Sequence, residues 1–125
     1  MAFVLTLCPS RAQEIAGRTL PGWIGDLSVS NEIVQLRAAK TIGLFGRPAI
    51  PQLIKMLHSE NDAVRYWAAS HLGNIGNDAD AAMEPLKSAV NDPSFPVRMA
   101  VNYALSRVDR SGPWFVSLVK GIQSS

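Results

Sequence analysis

The chain has 125 residues, a length typical of one domain and sufficient to bury a hydrophobic core without a metal or a disulfide. Hydrophobic residues make up 47% of the chain and charged residues 18%, which excludes a disordered protein. The net charge is only +2, so composition does not indicate a nucleic-acid-binding protein. The single cysteine, Cys8, excludes a disulfide framework, and the longest apolar run is too short to span a membrane.

The N-terminal residues are apolar and allow two interpretations. Ser10 and Ala12 are small residues at the positions that signal peptidase prefers before a cut, but no Lys or Arg precedes the short apolar run. In the first interpretation, residues 1–17 are an apolar segment that packs on the domain. In the second, residues 1–12 are the remnant of a truncated signal peptide. The sequence leaves the compartment unknown: the first interpretation favours the cytoplasm, and the second implies export.

From residue 18 onward the sequence repeats itself about every thirty residues. The segments 34–46, 64–76 and 97–109 align with one another, and each places apolar residues at the spacing of an amphipathic helix. Gly46 and Gly76 stand where the end of a helix favours a residue with positive φ. The alignment predicts one long helix in each of three units.

A shorter helix is expected before each long one, in the apolar segments 20–27, 50–57 and 83–90. Pro21 and Pro51 fall in the first turn of such a helix, whereas Pro85 lies deeper and is expected to kink it. We therefore predict an all-α fold of about three helical hairpins in one domain. The predicted boundaries are 18–125 for the domain, about 18–46, 47–76 and 77–109 for its units, and about 113–121 for a C-terminal capping helix.

The repeated motifs resemble short HEAT-like repeats of the phycobilisome-lyase type. The resemblance extends from Arg18 to about Asp109. The motifs that carry it are Val64-Arg65, Ala68-Ala69 with Leu72-Gly73, and Asn91-Asp92 with Val97-Arg98. It implies a right-handed α–α superhelix with good specificity, but it describes packing and therefore implies little about function.

The resemblance also implies a ladder between neighbouring repeats, built from an Asp in the turn and an Arg early in the second helix. Asp92 and Arg98 match this pattern, and Arg65 matches it with Ser59 in place of the Asp. The first unit has neither residue. We therefore assign Asp92, Arg98 and Arg65 to a partial structural ladder and expect the first unit to be a divergent cap.

No residue pattern typical of an enzyme is present, since the sequence has neither a Gly-rich phosphate loop nor a nucleophile elbow. His58 and His71 have no cysteine or carboxylate at ligand spacing, so we expect no metal site and no cofactor. Cys8 has no His partner that would make it a nucleophile. We interpret Asp62 and Asp80 as helix N-caps.

The second helices carry the candidate binding surface, because residues 33–46, 63–76 and 97–108 include basic residues and no acidic one. Equivalent positions of the three units form rows expected to point away from the core: Arg37, Trp67 and Ala100; Lys40, Ser70 and Tyr103; Leu44, Asn74 and Arg107. Trp, Tyr and Arg dominate the binding energy of protein interfaces. The candidate binding residues are Trp67, Tyr103, Arg37, Lys40, Arg107, His71 and Asn74, with His71 expected to be partly exposed beside Trp67.

An alternative interpretation of this face stays open. Trp67 and Tyr66 would then pack on neighbouring repeats, and the basic residues would form an ordinary solvated surface. The apolar ends of the chain are equally ambiguous. Trp23 and Trp114 either face the core or support a homo-oligomer, together with the segment from Phe3 to Leu7.

The sequence thus predicts a non-catalytic protein–protein interaction module or scaffold, whose partner binds across the second helices. Two alternatives are retained. One is a weak binder of nucleic-acid backbones, for which only about three basic residues are available. The other is an accessory repeat fragment of a larger enzyme, with lyase chemistry implied by the family resemblance alone.

Overall fold

The computed structural model describes residues 13–109. The expected capping helix at 113–121, the candidate signal remnant at 1–12, Cys8 and Trp114 lie outside these described residues. The predicted division into domain and N-terminal segment stays a prediction.

Within residues 13–109 the chain forms three helical hairpins, each with a short first helix and a longer second helix. The first helices are α1 (Leu20–Gly25), α3 (Ile50–Met56) and α5 (Met83–Ser88). The second helices are α2 (Glu32–Ile42), α4 (Asp62–Ile75) and α6 (Phe95–Val108). Short 3-10 turns join or extend these helices at Asp26–Ser28, Gly43–Phe45, Arg47–Ala49 and Gly76–Ala82. The prediction of an all-α repeat solenoid is confirmed.

One continuous core connects the three hairpins, because each second helix packs on the next and each first helix on its own partner. The largest of the fully buried side chains are Ile42, Leu53, Leu72, Leu86, Leu105, Val97 and Val101. Small residues between the second helices allow close approach. The most extensive helix–helix contact joins α4 and α6. There a Cβ at Gly73 would lie only 2.6 Å from Cε2 of Tyr103.

The N-terminal end of the described chain is a small antiparallel hairpin in front of α1. Glu14–Ile15 (β1) pairs with Arg18–Thr19 (β2), and so joins residues on both sides of the expected boundary at 17/18. The Trp23 indole donates a hydrogen bond to the carbonyl oxygen of Ile15 at 3.0 Å, and the Trp23 side chain is buried. Trp23 therefore faces the core, which is the first of the two interpretations given for this end.

The helix ends confirm two backbone predictions and correct two N-cap predictions. Gly46 and Gly76 both have positive φ, at 73° and 75°. Asn61, and not Asp62, is the N-cap of α4, since its side chain accepts a hydrogen bond from the Ala63 amide and Asp62 is already helical. Asp80 does not cap α5 either. It lies inside the 3-10 segment Gly76–Ala82.

Pro85 does not kink its helix, contrary to the prediction. The helix α5 begins at Met83, so Pro85 is its third residue and lies in the first turn. An amide is not needed there because the first turn has no preceding carbonyl to bond. The departure from helical geometry is at Ala79, before α5 begins.

Candidate protein-interaction surface

The helix α2 presents the most exposed part of the predicted surface. Arg37 and Lys40 are exposed, and Ile33 lies on the same side of α2, one turn before Arg37. Leu44 follows Lys40 by one turn, in the 3-10 segment Gly43–Phe45. Ile33 is 77% exposed and Leu44 is 65% exposed, unusual values for large apolar side chains. A hollow of about 310 Å³ lies on this side of α2, lined by Ile33, Leu36, Arg37, Lys40 and Thr41.

The same rows continue on α4 and α6 with less exposure. Trp67 and Tyr103 are half-buried, and Asn74 and Arg107 are exposed. Ala100 is an exception, since it is buried in the core although its row was expected to point outward. The close packing of α4 on α6 explains its burial. We call the surface formed by Ile33, Arg37, Lys40, Leu44, Trp67, Asn74, Tyr103 and Arg107 the second-helix face.

Trp67 is held in place from several sides. The Lys40 ammonium group lies 5.4 Å from the centre of the Trp67 ring, which is the geometry of a cation–π contact between α2 and α4. Tyr66 meets Trp67 edge to face at 5.4 Å, and the His71 ring lies 5.5 Å away on the following turn. These contacts fix the indole while leaving part of it exposed to solvent.

His71 lies beneath Trp67, and the prediction that it is partly exposed is wrong. The residue is only 7% exposed because its ring occupies the space beside Gly43, where a Cβ would overlap it. Burial lowers the pKa of His71, and the backbone carbonyls of Lys40 and Ala39 oppose this shift only in part. Its Nε2 atom has no hydrogen-bond partner among residues 13–109. His71 therefore supports the surface as a neutral ring wedged between α2 and α4.

Tyr103 is fixed in a similar way on the other side of α4. Its hydroxyl group donates a hydrogen bond to Oδ1 of Asn74 at 2.7 Å, across the α4–α6 boundary. Arg107 also crosses this boundary, with Nε donating to the carbonyl oxygen of Gly73 at 3.4 Å. The structure thus brings Lys40 and Trp67 together, and separately Asn74, Tyr103 and Arg107.

The structural ladder links all three hairpins along the edge where the second helices begin. Arg65 forms an ion pair with Asp92 of the next hairpin, with both side chains largely buried. Between the first and second hairpins a neutral hydrogen bond takes the place of the ion pair, since the Asn61 side-chain amide donates to Oε1 of Gln35 at 3.0 Å. Arg98 donates instead to the backbone carbonyl of Asp92. The carboxylate of Asp92 thus pairs with Arg65 of the preceding hairpin, whereas Arg98 binds the backbone of its own turn.

The Asp92 carboxylate stays ionised in this setting. Burial raises its pKa, but hydrogen bonds from Arg65 and from the Ser94 amide, with the nearby charges of Arg65 and Arg98, outweigh that effect. The net result is that the pKa of Asp92 lies below the ordinary aspartate value.

Two surface residues were missed in the sequence. Ile33 was not assigned to the binding set, although it stands in one row with Ala63 and Pro96, one turn before Arg37. Leu44 was placed in a row but not among the candidates. Ile33 and Leu44 could both have been identified by extending the rows by one helical turn and looking for the unit that carries a large apolar residue.

Two further features bear on the class of protein. Among residues 13–109, no group of three His, Cys, Asp or Glu side chains is arranged to hold a metal ion. Within the same residues, no helix combines the length and the apolar character that crossing a bilayer requires.

Comparison with known proteins agrees with this geometry. A family model described as HEAT repeats matches residues 21–106, a range that covers all three hairpins. The uncharacterized protein SkfG of Bacillus subtilis (strain 168) is 31% identical over 93 residues, which is 74% of this chain and 54% of that protein. The chain thus spans about half the length of this relative. The stacked helical hairpins and the family match together show that the chain belongs to the HEAT repeat family.

Proposed function

We propose that the chain is a non-catalytic interaction module, and that a protein partner binds across the second-helix face. HEAT repeats generally mediate interactions between proteins and are typically non-catalytic. The finer proposal, which assigns the face, rests on the arrangement of Lys40, Trp67, Asn74 and Tyr103 described above.

The proposal rests on one observation: neighbouring side chains hold both Trp67 and Tyr103 in place. Trp67 is held by Lys40 and His71, and Tyr103 is held by Asn74. Aromatic groups that are already ordered before binding lose little conformational entropy when a partner covers them. Half-buried Trp and Tyr residues of this kind are typical anchors of protein interfaces.

Charge and exposed apolar area indicate the chemistry of the partner. Arg37, Lys40 and Arg107 are the charged residues of the second-helix face, so it attracts an acidic surface. Ile33 and Leu44 flank Arg37 and Lys40 and offer apolar contacts at both ends of α2. A partner with one or two apolar side chains bordered by acidic residues fits this pattern.

Affinity capture from a cell lysate with four parallel baits tests the proposal. The first two are the wild-type chain and the Trp67→Ala/Tyr103→Ala variant, which removes the aromatic anchors. The third is Arg37→Glu/Lys40→Glu, which reverses two exposed charges and leaves the core intact. The fourth is the matched control Lys55→Glu/Lys87→Glu, which reverses two exposed charges on the first helices.

We expect a protein that is retained by the wild type and by the control and is lost from both face variants. Circular dichroism of each bait verifies that its helical content is unchanged. Identical protein lists from all four baits would show that the second-helix face does not bind a partner.

A further inference from the structure

His71 is a buried titratable residue that has a partner at one ring nitrogen and none at the other. The ring donates to the backbone carbonyls of Lys40 and Ala39 on α2. Its second nitrogen, Nε2, is shielded from solvent and has no partner among residues 13–109. Gly43 confines the ring on one side, because a Cβ there would overlap it. The neutral ring thus leaves one acceptor unsatisfied, whereas a protonated ring would leave a charged N–H group unsatisfied.

Trp67 covers this ring on the side of the second-helix face. The centres of the His71 and Trp67 rings are 5.5 Å apart, and their planes are inclined by 34°. Trp67 is half-buried, so it lies nearer to the solvent than His71 does. Lys40 contacts both rings, since its carbonyl accepts from His71 and its ammonium group lies 5.4 Å from the centre of the Trp67 ring. A movement of the His71 ring therefore disturbs the contact that holds Trp67.

The elements packed around His71 place cations, and not carboxylates, beside it. On α2 the charged residues near the contact are Lys40 and, one turn earlier, Arg37, and the 3-10 turn Gly43–Phe45 has none. The carboxylates of α2 and α4 belong to the first residues of these helices, Glu32 and Asp62, about 12 Å or more along the axis from Lys40 and His71. The other charged or titratable groups nearby are engaged or directed elsewhere: Arg65 binds Asp92, Tyr66 borders Trp67, Arg47 pairs with Asp78, Lys55 is exposed on α3, and Tyr103 and Arg107 lie on the other side of α4.

We propose that His71 is a pH sensor for the second-helix face, an inference that rests on the function proposed above. Protonation of Nε2 places a charge in a site that offers it no acceptor, beside the contact of Lys40 with Trp67. The charge reaches water when the His71 ring turns out of the space beside Gly43, and this movement displaces Trp67 from Lys40. The aromatic anchor is thus in place when His71 is neutral and is released when His71 is protonated.

The direction of the pH response follows from the burial of the ring. Burial lowers the pKa of His71 while Trp67 covers it, and contact with water returns the pKa toward the ordinary histidine value. Protonation therefore favours the arrangement in which Trp67 is released. The anchored arrangement is fully populated above the ordinary histidine pKa and is lost as pH falls toward the lower pKa of the buried ring. A partner that covers Trp67 should accordingly bind more weakly at about pH 5 than at about pH 7.

Nuclear magnetic resonance of the indole Nε1–H group of Trp67 tests the proposal in the full chain without any partner. The variant Trp67→Phe identifies the signal by its absence. Between about pH 7 and about pH 5, we expect this signal to shift along the same titration curve as the ring protons of His71. The indole of Trp23 is the control, since it also has a cation–π contact, with Arg18 at 4.5 Å, and its N–H group donates to the carbonyl of Ile15. The Trp23 signal should not follow this curve.

Two variants remove the titration in different ways. His71→Phe keeps an aromatic ring beside Gly43, and His71→Asn keeps a side-chain donor for the carbonyl of Lys40. In both variants the pH response of the Trp67 signal should disappear. A constant Trp67 signal while His71 titrates would overturn the proposal, and so would a response that persists in both variants. Loss of the Trp23 signal and of helical circular dichroism at or before the titration of His71 would also overturn it, because acid would then unfold the whole chain.

Affinity capture from a lysate at about pH 7 and about pH 5 separates this inference from the proposed function. The baits are the wild-type chain and His71→Phe. We expect a protein that the wild type retains only at the higher pH and that His71→Phe retains at both. Loss of that protein from both baits at the lower pH would overturn the role of His71 as the sensor. The absence of any partner at either pH would contradict the proposed function alone, since the resonance experiment decides the response of Trp67 on the free chain.

Discussion

Arg65 and Asp92 form a bidentate ion pair across the boundary between the second and third hairpins, with both side chains largely excluded from water. The pair joins the start of α4 to the turn before α6, and α4 and α6 are the two helices with the most extensive contact. Arg65 also binds the turn of its own hairpin through Nη1. A single guanidinium group therefore fixes both the shape of one unit and its position relative to the next.

Removal of the negative charge at this boundary should destabilise the fold. We expect Asp92→Asn to lower the free energy of unfolding by about 3 kcal/mol, because it leaves the Arg65 guanidinium buried beside a neutral group. Asparagine keeps the oxygen that accepts the hydrogen bond from the Ser94 amide, so the change isolates the ion pair. Urea denaturation monitored by circular dichroism measures the difference.

The exposed pair of Arg47 and Asp78 provides the control. Its atoms are 3.8 Å apart and both side chains are more than half exposed. Asp78→Asn should therefore change the free energy of unfolding by less than about 0.5 kcal/mol. Equal losses for Asp92→Asn and Asp78→Asn would contradict the role assigned to the Arg65–Asp92 pair.

The contact of Gly43 with His71 predicts a second stability effect. Gly43→Ala would place a methyl group inside the His71 ring, so we expect a loss of about 1–3 kcal/mol from overpacking. Gly25→Ala is the control, since a Cβ there meets no atom of residues 13–109 within 4 Å and the backbone is in the ordinary helical region. It should be neutral or stabilising by up to about 1 kcal/mol. The loss at Gly43 should shrink when His71→Ala is added, and an undiminished loss in the double variant would rule out the His71 ring as its cause.

The burial of His71 also predicts a pH dependence of stability. Its pKa in the folded protein lies below the ordinary histidine value, so its protonation favours the unfolded chain. The stability that this residue contributes is fully present above the pKa of the unfolded chain and is lost as pH falls toward the lower pKa of the folded state. Between about pH 7 and about pH 5, His71→Asn should therefore flatten the decline in the free energy of unfolding.

The repeat architecture could be predicted because it depends on patterns local to the sequence. The recurrence of small and apolar residues around Val34, Val64 and Val97 predicted the three long helices, and Gly46 and Gly76 predicted where two of them are followed by positive φ. The sequence did not distinguish Asn61 from Asp62 as the N-cap of α4, because the two residues are adjacent and the helix could begin after either of them.

The interior of the candidate surface was harder to predict. His71 is buried because Gly43, in the 3-10 turn that follows α2, lacks a side chain, and no pattern within α4 indicates that. Ala100 is buried for a related reason, since the approach of α6 to α4 depends on Gly73 and Tyr103 together. Contacts of this kind between helices can be recognised only once the three-dimensional packing is known.

The central claim, that the second-helix face binds a protein partner through Trp67, is tested most directly by one dissociation constant. The measurement compares wild type and Trp67→Ala for the partner that capture identifies, by isothermal titration calorimetry, after the thermal unfolding of both chains shows that they are folded. An anchor of the expected kind weakens binding by about 2 kcal/mol or more, which is about thirtyfold in the dissociation constant. A change of less than about 0.5 kcal/mol, or about twofold, would contradict the proposal that Trp67 anchors the interface.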